Sequence, residues 1–269
     1  MSFSTMLRNL NEAKVWRRSI NVWGRSVKAS SLDRLVCLLL HRAGLMGATE
    51  RVLLPQLVKP GMTAIDIGAN VGLYSLLLSQ LIGSEGTLFA FEPEPALYAS
   101  LTKNRAKNQA DNIRTFNCAL GEAPGRVSFY RSILNSGDNR LGNFGWQGQQ
   151  LEVEMVRLDD VLPQHRIDFI KIDVQGFEGF VLRGMDRVFA ESPNLTIHME
   201  FWPHGLRNAG TEPRELLEQL ARRHFNIHLI DGEKLMPVDD FAALERNIPG
   251  KQFVNLVASR VAVSQALAA

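Results

Sequence analysis

Ala64-Ile65-Asp66-Ile67-Gly68-Ala69-Asn70-Val71-Gly72 is a short apolar run that carries a carboxylate and ends in a glycine turn. It leads into the amphipathic stretch 73–81, and a second run, Phe89-Ala90-Phe91-Glu92-Pro93, follows about twenty residues on with its own terminal carboxylate. A strand, a glycine turn and a helix in this order hold a nucleoside cofactor at the edge of a parallel sheet. Glycine lets the backbone come close to a ligand, the helix N-terminus offers free N–H groups, and the second acid can accept two hydrogen bonds from a ribose diol.

Alternation outward from this core points to a doubly wound α/β domain with a mostly parallel sheet. Strands are expected over 62–67, 87–91, 112–118, 168–173 and 195–200, with helices over 73–82, 95–108, 177–189 and 213–223. Thr211 is a candidate cap for the last of these, ahead of Pro213 at its first position. Between the third and fourth strands the pattern changes: 127–130 and 151–156 read as strands around a polar Gly/Asn/Ser-rich insertion, 135–148, in place of a crossover helix. Two final strands, 226–230 and 253–259, lack a helical crossover between them and suggest an antiparallel hairpin at one sheet edge.

The 269 residues, 45% of them hydrophobic, suffice for one large domain plus an appendage. The expected division is a basic helical N-terminal extension over 1–48, a catalytic domain over 49–261 and a tail over 262–269. The net charge of +2 hides an asymmetry, because the first 60 residues carry ten basic side chains against three acids. Trp16, Ile20, Trp23 and Val27 recur at helical spacing there, so the extension either packs its apolar stripe on the domain or meets a membrane surface or anionic polymer. The first 60 residues read as helical, with one helix over 49–58.

The longest apolar run, 35–40, is far shorter than the ~20 residues a bilayer crossing needs, and no signal segment is visible. A soluble, cytoplasmic protein is expected. Cys37 and Cys118 have no metal or disulfide spacing and read as buried thiols.

The position of Asp66 selects the cofactor. Beside a pyrophosphate a carboxylate is repelled, whereas beside the ammonium of an amino-acid moiety it is attracted. S-adenosylmethionine has that ammonium and no phosphate. A dinucleotide would also call for G-x-G-x-x-G and a second nucleotide-binding half, which the chain lacks.

The set IDIGANVG, FAFEP, the Asn117-Cys118-Ala119-Leu120-Gly121 segment, KIDVQGFE at Lys171 to Glu178 and Ile197-His198-Met199-Glu200 resembles the FkbM family of S-adenosylmethionine-dependent methyltransferases. The resemblance spans roughly residues 50–260. It implies a class I methyltransferase fold, Rossmann-like, with seven strands and the last antiparallel, and O-methylation of hydroxyls on sugar-containing compounds or natural products. Where the family usually has Glu in its KIDVEG segment, this chain has Gln175.

Carried onto this chain, the resemblance sets Asp66, Gly68, Asn70 and Gly72 at the methionine end, Glu92 on the ribose, and Ala119 near the adenine with Asn117 or Leu120 beside it. Asp173 and Glu200 end neighbouring strands and are the candidate catalytic pair, either as a general base or as ligands of a divalent cation such as Mg. His198, two residues before Glu200 on the same face, is a further candidate base. Candidate acceptor contacts are Glu178, Trp202 and His204, with Asp138, Asn139 and Arg140 in the inserted loop. Glu178 reads equally as a helix-end carboxylate, and Asp138 could complete a metal site.

The expected acceptor is a glycan, a sugar or a glycosylated small molecule. Two alternatives are an N-methyltransferase of the same fold and a non-catalytic scaffold docking through the basic arm. Nucleic acid is not an expected partner, because beyond the arm the chain is acidic.

Overall fold

The computed structural model describes residues 19–132, 140–141, 148–162 and 166–263. It opens on β1 (Ser19–Val22) and β2 (Arg25–Lys28), followed by α1 (Leu32–Arg42) and α2 (Ala48–Leu57). Then β3 (Thr63–Ile67), α3 (Leu73–Ile82), β4 (Thr87–Phe91), α4 (Pro95–Lys107) and β5 (Ile113–Phe116) alternate as expected. The short β6 (Ala119–Leu120), with β7 (Gly125–Ser132), β8 (Arg140–Leu141) and β9 (Gly148–Val156), forms a separate four-stranded sheet in the order β6-β9-β7-β8. Thus the insertion between the third and fourth strands of the main sheet is built on an antiparallel β7–β9 pair.

After α5 (Leu158–Val161) come β10 (Phe169–Ile172), α6 (Glu178–Arg183), α7 (Asp186–Glu191) and β11 (Thr196–Phe201). The chain then runs through α8 (Pro203–Asn208), α9 (Pro213–Arg222), β12 (Asn226–Asp231), β13 (Lys234–Pro237), α10 (Phe241–Arg246) and β14 (Val254–Ser259). The main sheet has the order β13-β12-β14-β11-β10-β3-β4-β5. Strands β5, β4, β3, β10 and β11 pair in parallel, and β14 lies antiparallel between β11 and β12.

Two corrections to the expected sheet follow. It has eight strands rather than seven, because β13 folds back on β12 through a turn at Gly232 (φ 58°) and becomes the edge. The two final expected strands, β12 and β14, do pair antiparallel, but not as an edge hairpin: β13 takes the edge, and β14 inserts beside β11, which brings Asn255 opposite Glu200.

The expected helix over 177–189 is broken into α6 and α7. A Cβ at Gly184 would stand 2.0 Å from the Gly121 carbonyl oxygen, so the chain passes too close to the β6 segment for a continuous helix with side chains. Nor does Thr211 cap α9. The N-cap is Glu212, without a side-chain hydrogen bond, and Thr211 packs instead against Gly179.

The N-terminal segment is not all helical either. Trp23 (φ 52°) and Gly24 (φ 80°) are both left-handed and turn β1 into β2, with Asn21 Oδ1 accepting from the Gly24 N–H at 3.1 Å. A two-residue loop with two positive φ values matches the twist of an antiparallel hairpin. This makes Ile20 and Val27 cross-strand partners rather than neighbours on one helix face.

The sheet separates two apolar layers. Ile65, Ile67, Ile170 and Ile197 point into one, with Val181, Leu206 and Leu217. Ala64 and Ala90 point into the other, where they meet Val22, Val27, Leu35, Leu38 and Leu54 from the N-terminal segment and Leu76 of α3. Val22 and Val27 of the first hairpin, Leu35 and Leu38 of α1 and Leu53 and Leu54 of α2 are thus buried, whereas Leu39 and Val52 on the same helices are exposed, and Trp16 lies outside the described residues. Among the described residues no helix is long and apolar enough to cross a membrane.

Candidate functional site

At the carboxyl ends of the parallel strands lies a cavity of about 490 Å³. Open α/β sheets bind ligands at such ends. On one side it is lined by the β3–α3 turn, Glu92 and the segment 118–120, and on the other by residues of β10, β11, β14 and the N-terminal helices.

The β3–α3 turn takes the shape that its sequence prescribes. Gly68 (φ 82°), Asn70 (φ 55°) and Gly72 (φ 88°) are all left-handed. A Cβ at Gly68 would meet the Asp173 carbonyl oxygen at 2.0 Å, so this turn is pressed against the end of β10. Glu92, at the end of β4, accepts from the Asn70 N–H at 2.7 Å through Oε2 and from the Glu94 N–H at 2.9 Å through Oε1. A carboxylate has about four acceptor positions, and Glu92 lines the cavity at the end of β4, where a ribose diol would meet it.

Asp66 is wholly buried, yet it lines the cavity. Its Oδ2 accepts from Ser75 at 2.6 Å, and its Oδ1 has no hydrogen-bond partner among the described residues. Burial raises its pKa, against the lowering pull of the Lys171 ammonium and the Ser75 hydroxyl. A buried acceptor without a donor is costly, and a cationic N–H ligand would relieve it.

Register then builds a polar row across the buried sheet. Asp66 pairs with Lys171 on β10, and Lys171 with His198 on β11, so the three share one face. Burial would lower the Lys171 pKa, but Asp173, Asp66 and Glu50 outweigh it and raise the pKa, keeping the ammonium charged. Lys171 Nζ lies 3.2 Å from Asp173 Oδ2 and 4.7 Å from the Tyr74 ring centroid. His198 is buried with neither ring nitrogen hydrogen-bonded among the described residues, and burial beside Lys171 pushes its pKa down to about 3. It is a neutral imidazole.

Asp173 keeps 40% of its side chain open to the cavity. Burial acts to raise its pKa, but the Lys171 ammonium and the hydrogen bond from Gln175 prevail and hold it below the usual carboxylate range. Gln175 Nε2 donates to Asp173 Oδ1 and to Glu200 Oε1, at 3.1 Å each. Glu200 is more enclosed; burial, with Asp173 close by, pushes its pKa up to about 9. Two neighbouring carboxylates are thus driven apart in pKa by their surroundings.

Asp66, Gly68, Asn70, Glu92, Ala119, Asp173, His198 and Glu200 therefore all line one cavity. Several other expected contacts do not. Gly72 caps α3 from behind, where a Cβ would meet Leu101 at 2.6 Å. Asn117 turns its amide to the Glu92 and Pro93 carbonyl oxygens, at 2.8 and 3.1 Å, and so ties down the loop after β4.

Glu178 is fully buried, with Oε1 accepting from the Val174 and Gly176 N–H groups at 3.3 and 3.2 Å. Burial raises its pKa to about 7. It fixes the 173–177 loop rather than a ligand. Trp202 packs its ring on Gly205, and His204 shares a 3.0 Å hydrogen bond with Asn208, both on the α8 side away from the cavity. Asp138 and Asn139 lie outside the described residues, and of Arg140 only the backbone, paired with Tyr130 in β8, is described.

Sequence reasoning missed Lys171, Glu50, Asn255 and the Cys118 contact. A lysine in the centre of Phe-Ile-Lys-Ile, a strand buried at every position, was a signal that could have been read. Cys118 lines the cavity as an inert thiol, with burial pushing its pKa to about 12.

Comparison with known proteins agrees with this geometry. A family model described as the methyltransferase FkbM domain matches residues 66–227, more than half of the chain. The 31-O-demethyl-FK506 methyltransferase FkbM of Streptomyces tacrolimicus is 29% identical over 161 residues, 48% of this chain and 61% of that protein. The hexuronic acid methyltransferase AglP of Haloferax volcanii is 24% identical over 180 residues, covering 65% of this chain and 67% of that one. The chain thus spans about two thirds or less of the length of these relatives. A crystal structure of a candidate rRNA methylase from Clostridium thermocellum superposes with a TM-score of 0.50 at 11% identity, covering 80% of this chain and 96% of the other, and speaks to the fold alone. With its class I sheet order and the family match over the segment that carries the cavity, the chain belongs to the FkbM family of S-adenosylmethionine-dependent methyltransferases.

Proposed function

We propose that the chain is an O-methyltransferase acting on a hydroxyl of a sugar, a glycan or a glycosylated small molecule. The observation that carries the reading is the Asp173–Gln175–Glu200 arrangement at the cavity wall. A sugar hydroxyl is poorly acidic and needs a proton acceptor when it attacks, whereas an amine does not. Glu200, whose pKa burial beside Asp173 pushes up to about 9 while that of Asp173 is held low, is the group we assign to take that proton. His198, with a pKa near 3, is too weak a base to compete.

The residues present fit S-adenosylmethionine. Asp66 Oδ1 would accept from its ammonium, the Gly68–Asn70 backbone would approach its methionine end, Glu92 would take the ribose diol, and Ala119 and Leu120 would flank the base. When bound, the cofactor supplies an electrophilic methyl group on a sulfonium. The protein's own contribution is to position the hydroxyl, accept its proton at Glu200 and exclude water, and positioning alone can remove much of such a barrier.

We do not assign a divalent cation to these carboxylates, because the Lys171 ammonium 3.2 Å from Asp173 already brings positive charge there and would repel a second cation. Both Asp173 oxygens and Glu200 Oε1 already accept from N–H donors, one of them the Lys171 ammonium. Among the described residues no group of three or more His, Cys, Asp or Glu side chains is placed to hold a metal.

The names of the two relatives support an oxygen acceptor and a sugar acid acceptor respectively, for those proteins. The test is incubation with methyl-labelled S-adenosylmethionine and a panel of glycosides and amines, with and without EDTA. Label in glycosides that survives EDTA is the expected result. Label confined to amines, or none despite cofactor binding, overturns the reading.

A further inference from the structure

The cavity continues past the catalytic carboxylates into a part that the cofactor residues do not reach. Its wall there comes from the N-terminal segment and the start of β14, both outside the 66–227 stretch shared with the family. Gly47 (φ 66°) starts α2 and sets Glu50 in the first turn. Asn255 Nδ2 donates to Glu50 Oε1 at 2.9 Å, and Asn255 is the direct cross-strand partner of Glu200. The Glu50–Asn255 pair therefore adjoins the candidate base on β14, the strand beyond β11 and further along the sheet from the β3–α3 turn.

This wall is tied to the rest of the site. Trp23, His41 and Tyr74 form an edge-to-face cluster with centroid separations of 5.2, 5.5 and 6.0 Å, and Tyr74 carries the Lys171 ammonium on its ring. Further out, Met46 and Phe253 line the cavity while remaining 42% and 56% exposed. Polar acceptors next to the base, with large apolar side chains at the mouth, make a two-zone pocket.

The geometry points to an acceptor subsite in which Glu50 and Asn255 bind hydroxyls of a neutral sugar ring, while Met46 and Phe253 cover an apolar substituent leaving the pocket. This rests on the O-methyltransferase reading and narrows it. Glu50 Oε2 and Asn255 Oδ1 supply acceptors for hydroxyl donors. Glu50 and Asp173 both present carboxylates to this cavity, so a sugar carrying its own carboxylate is repelled. Apolar side chains at a pocket rim gain by covering an alkyl or aryl group, because that removes apolar surface from water.

The experiment compares methyl and octyl glycosides of several neutral hexoses with the corresponding octyl uronides, using wild-type protein, Phe253→Ser and Glu50→Gln. Expected for the wild type is a kcat/KM at least tenfold higher for octyl than for methyl glycosides, with uronides poor. Phe253→Ser, a surface change, should collapse the octyl-to-methyl ratio. Glu50→Gln, which can keep the Asn255 hydrogen bond, should raise the acceptor KM and narrow the discrimination against uronides, with the Kd for S-adenosylmethionine unmoved. Methyl transfer to glycosides with an octyl-to-methyl ratio near one, or a ratio that Phe253→Ser leaves intact, overturns this subsite while sparing the O-methyltransferase reading. No transfer to any glycoside by protein that binds the cofactor overturns both.

Discussion

Gln175 donates through Nε2 to Glu200 at 3.1 Å, and the same nitrogen reaches Asp173 at 3.1 Å. An amide hydrogen thus stands where the resemblance leads one to expect another carboxylate. It bridges two acids that would otherwise repel, and it sits on a residue held at φ 55° by the 173–177 loop. Replacing it with Glu keeps the shape and removes the donors. In Gln175→Glu three acids face one another, so the Glu200 pKa rises further and the activity–pH profile moves to higher pH by about one unit. The variant should also become sensitive to added Mg and to EDTA, an effect not expected of the wild type. A pH–rate profile with and without EDTA measures both effects.

Glu200 gives a second pH prediction, with the sign fixed by its role. A base works when deprotonated, and burial beside Asp173 puts this pKa near 9. The rate should therefore climb from pH 7 towards 9 and level off above it. Glu200→Gln should lose about 10²–10⁴-fold in kcat and the alkaline rise with it. The Kd for S-adenosylmethionine, followed by calorimetry, should stay within twofold.

Asp66 is predicted to act on binding rather than on turnover. Its Oδ1 is a buried acceptor with no donor among the described residues, and a charge-assisted hydrogen bond to an ammonium contributes about 1.5–3 kcal/mol. Asp66→Asn retains an oxygen for Ser75 and should weaken S-adenosylmethionine binding by roughly 10- to 150-fold. The apo protein should be no less stable, because a buried carboxylate has been removed. An unchanged Kd in calorimetry would remove Asp66 from the cofactor site.

The strands and the glycine turn were legible because their signals are local. The helix Leu73–Ile82 and the strand Thr87–Phe91 stand where the apolar runs put them. The first hairpin was not legible from spacing, since Ile20 and Val27, seven apart, fit a helix face as well as a cross-strand pair across a two-residue turn. Trp23-Gly24 was the clue that could separate the two. Asn117, Glu178, Trp202 and His204 stand beside motif residues in the chain, but their side chains serve the loops that hold those motifs, and sequence does not give the direction of a side chain. Glu50 and Asn255, 205 positions apart, meet only once β14 inserts beside β11.

His198 links the site to acid stability. Its pKa falls from 6.5 to about 3 on folding, because burial and the Lys171 ammonium disfavour the imidazolium. The folded state therefore binds fewer protons than the unfolded one between these values. Stability from this group is complete above pH 6.5 and is lost as pH falls towards 3. His198→Gln should flatten the decline in Tm between pH 6.5 and 4.5 by a few degrees relative to the wild type, read by calorimetry. Glu178, raised from 4.5 to about 7, acts in the opposite direction, so its stabilisation is present below pH 4.5 and fades through pH 7. The comparison of variant with wild type isolates the histidine.

Gly68 couples the cofactor turn to the catalytic strand, and its replacement tests that coupling. At φ 82° any side chain is strained, and a Cβ would stand 2.0 Å from the Asp173 carbonyl oxygen, an approach closed to real atoms. Either the turn lifts or the end of β10 moves. The strained backbone costs about 1–3 kcal/mol, and displacement of Asp173 adds to it. Gly68→Ala should therefore lower the unfolding free energy, read from a denaturant titration, by at least this amount, abolish tight S-adenosylmethionine binding and misplace the Asp173–Gln175–Glu200 bridge. Gly83→Ala is the control, because Gly83 shares the left-handed φ of 69° but faces open space. It should pay the backbone strain alone and bind the cofactor normally. Equal losses of cofactor affinity in the two variants would mean that general destabilisation, rather than the contact between the turn and the β10 end, governs binding.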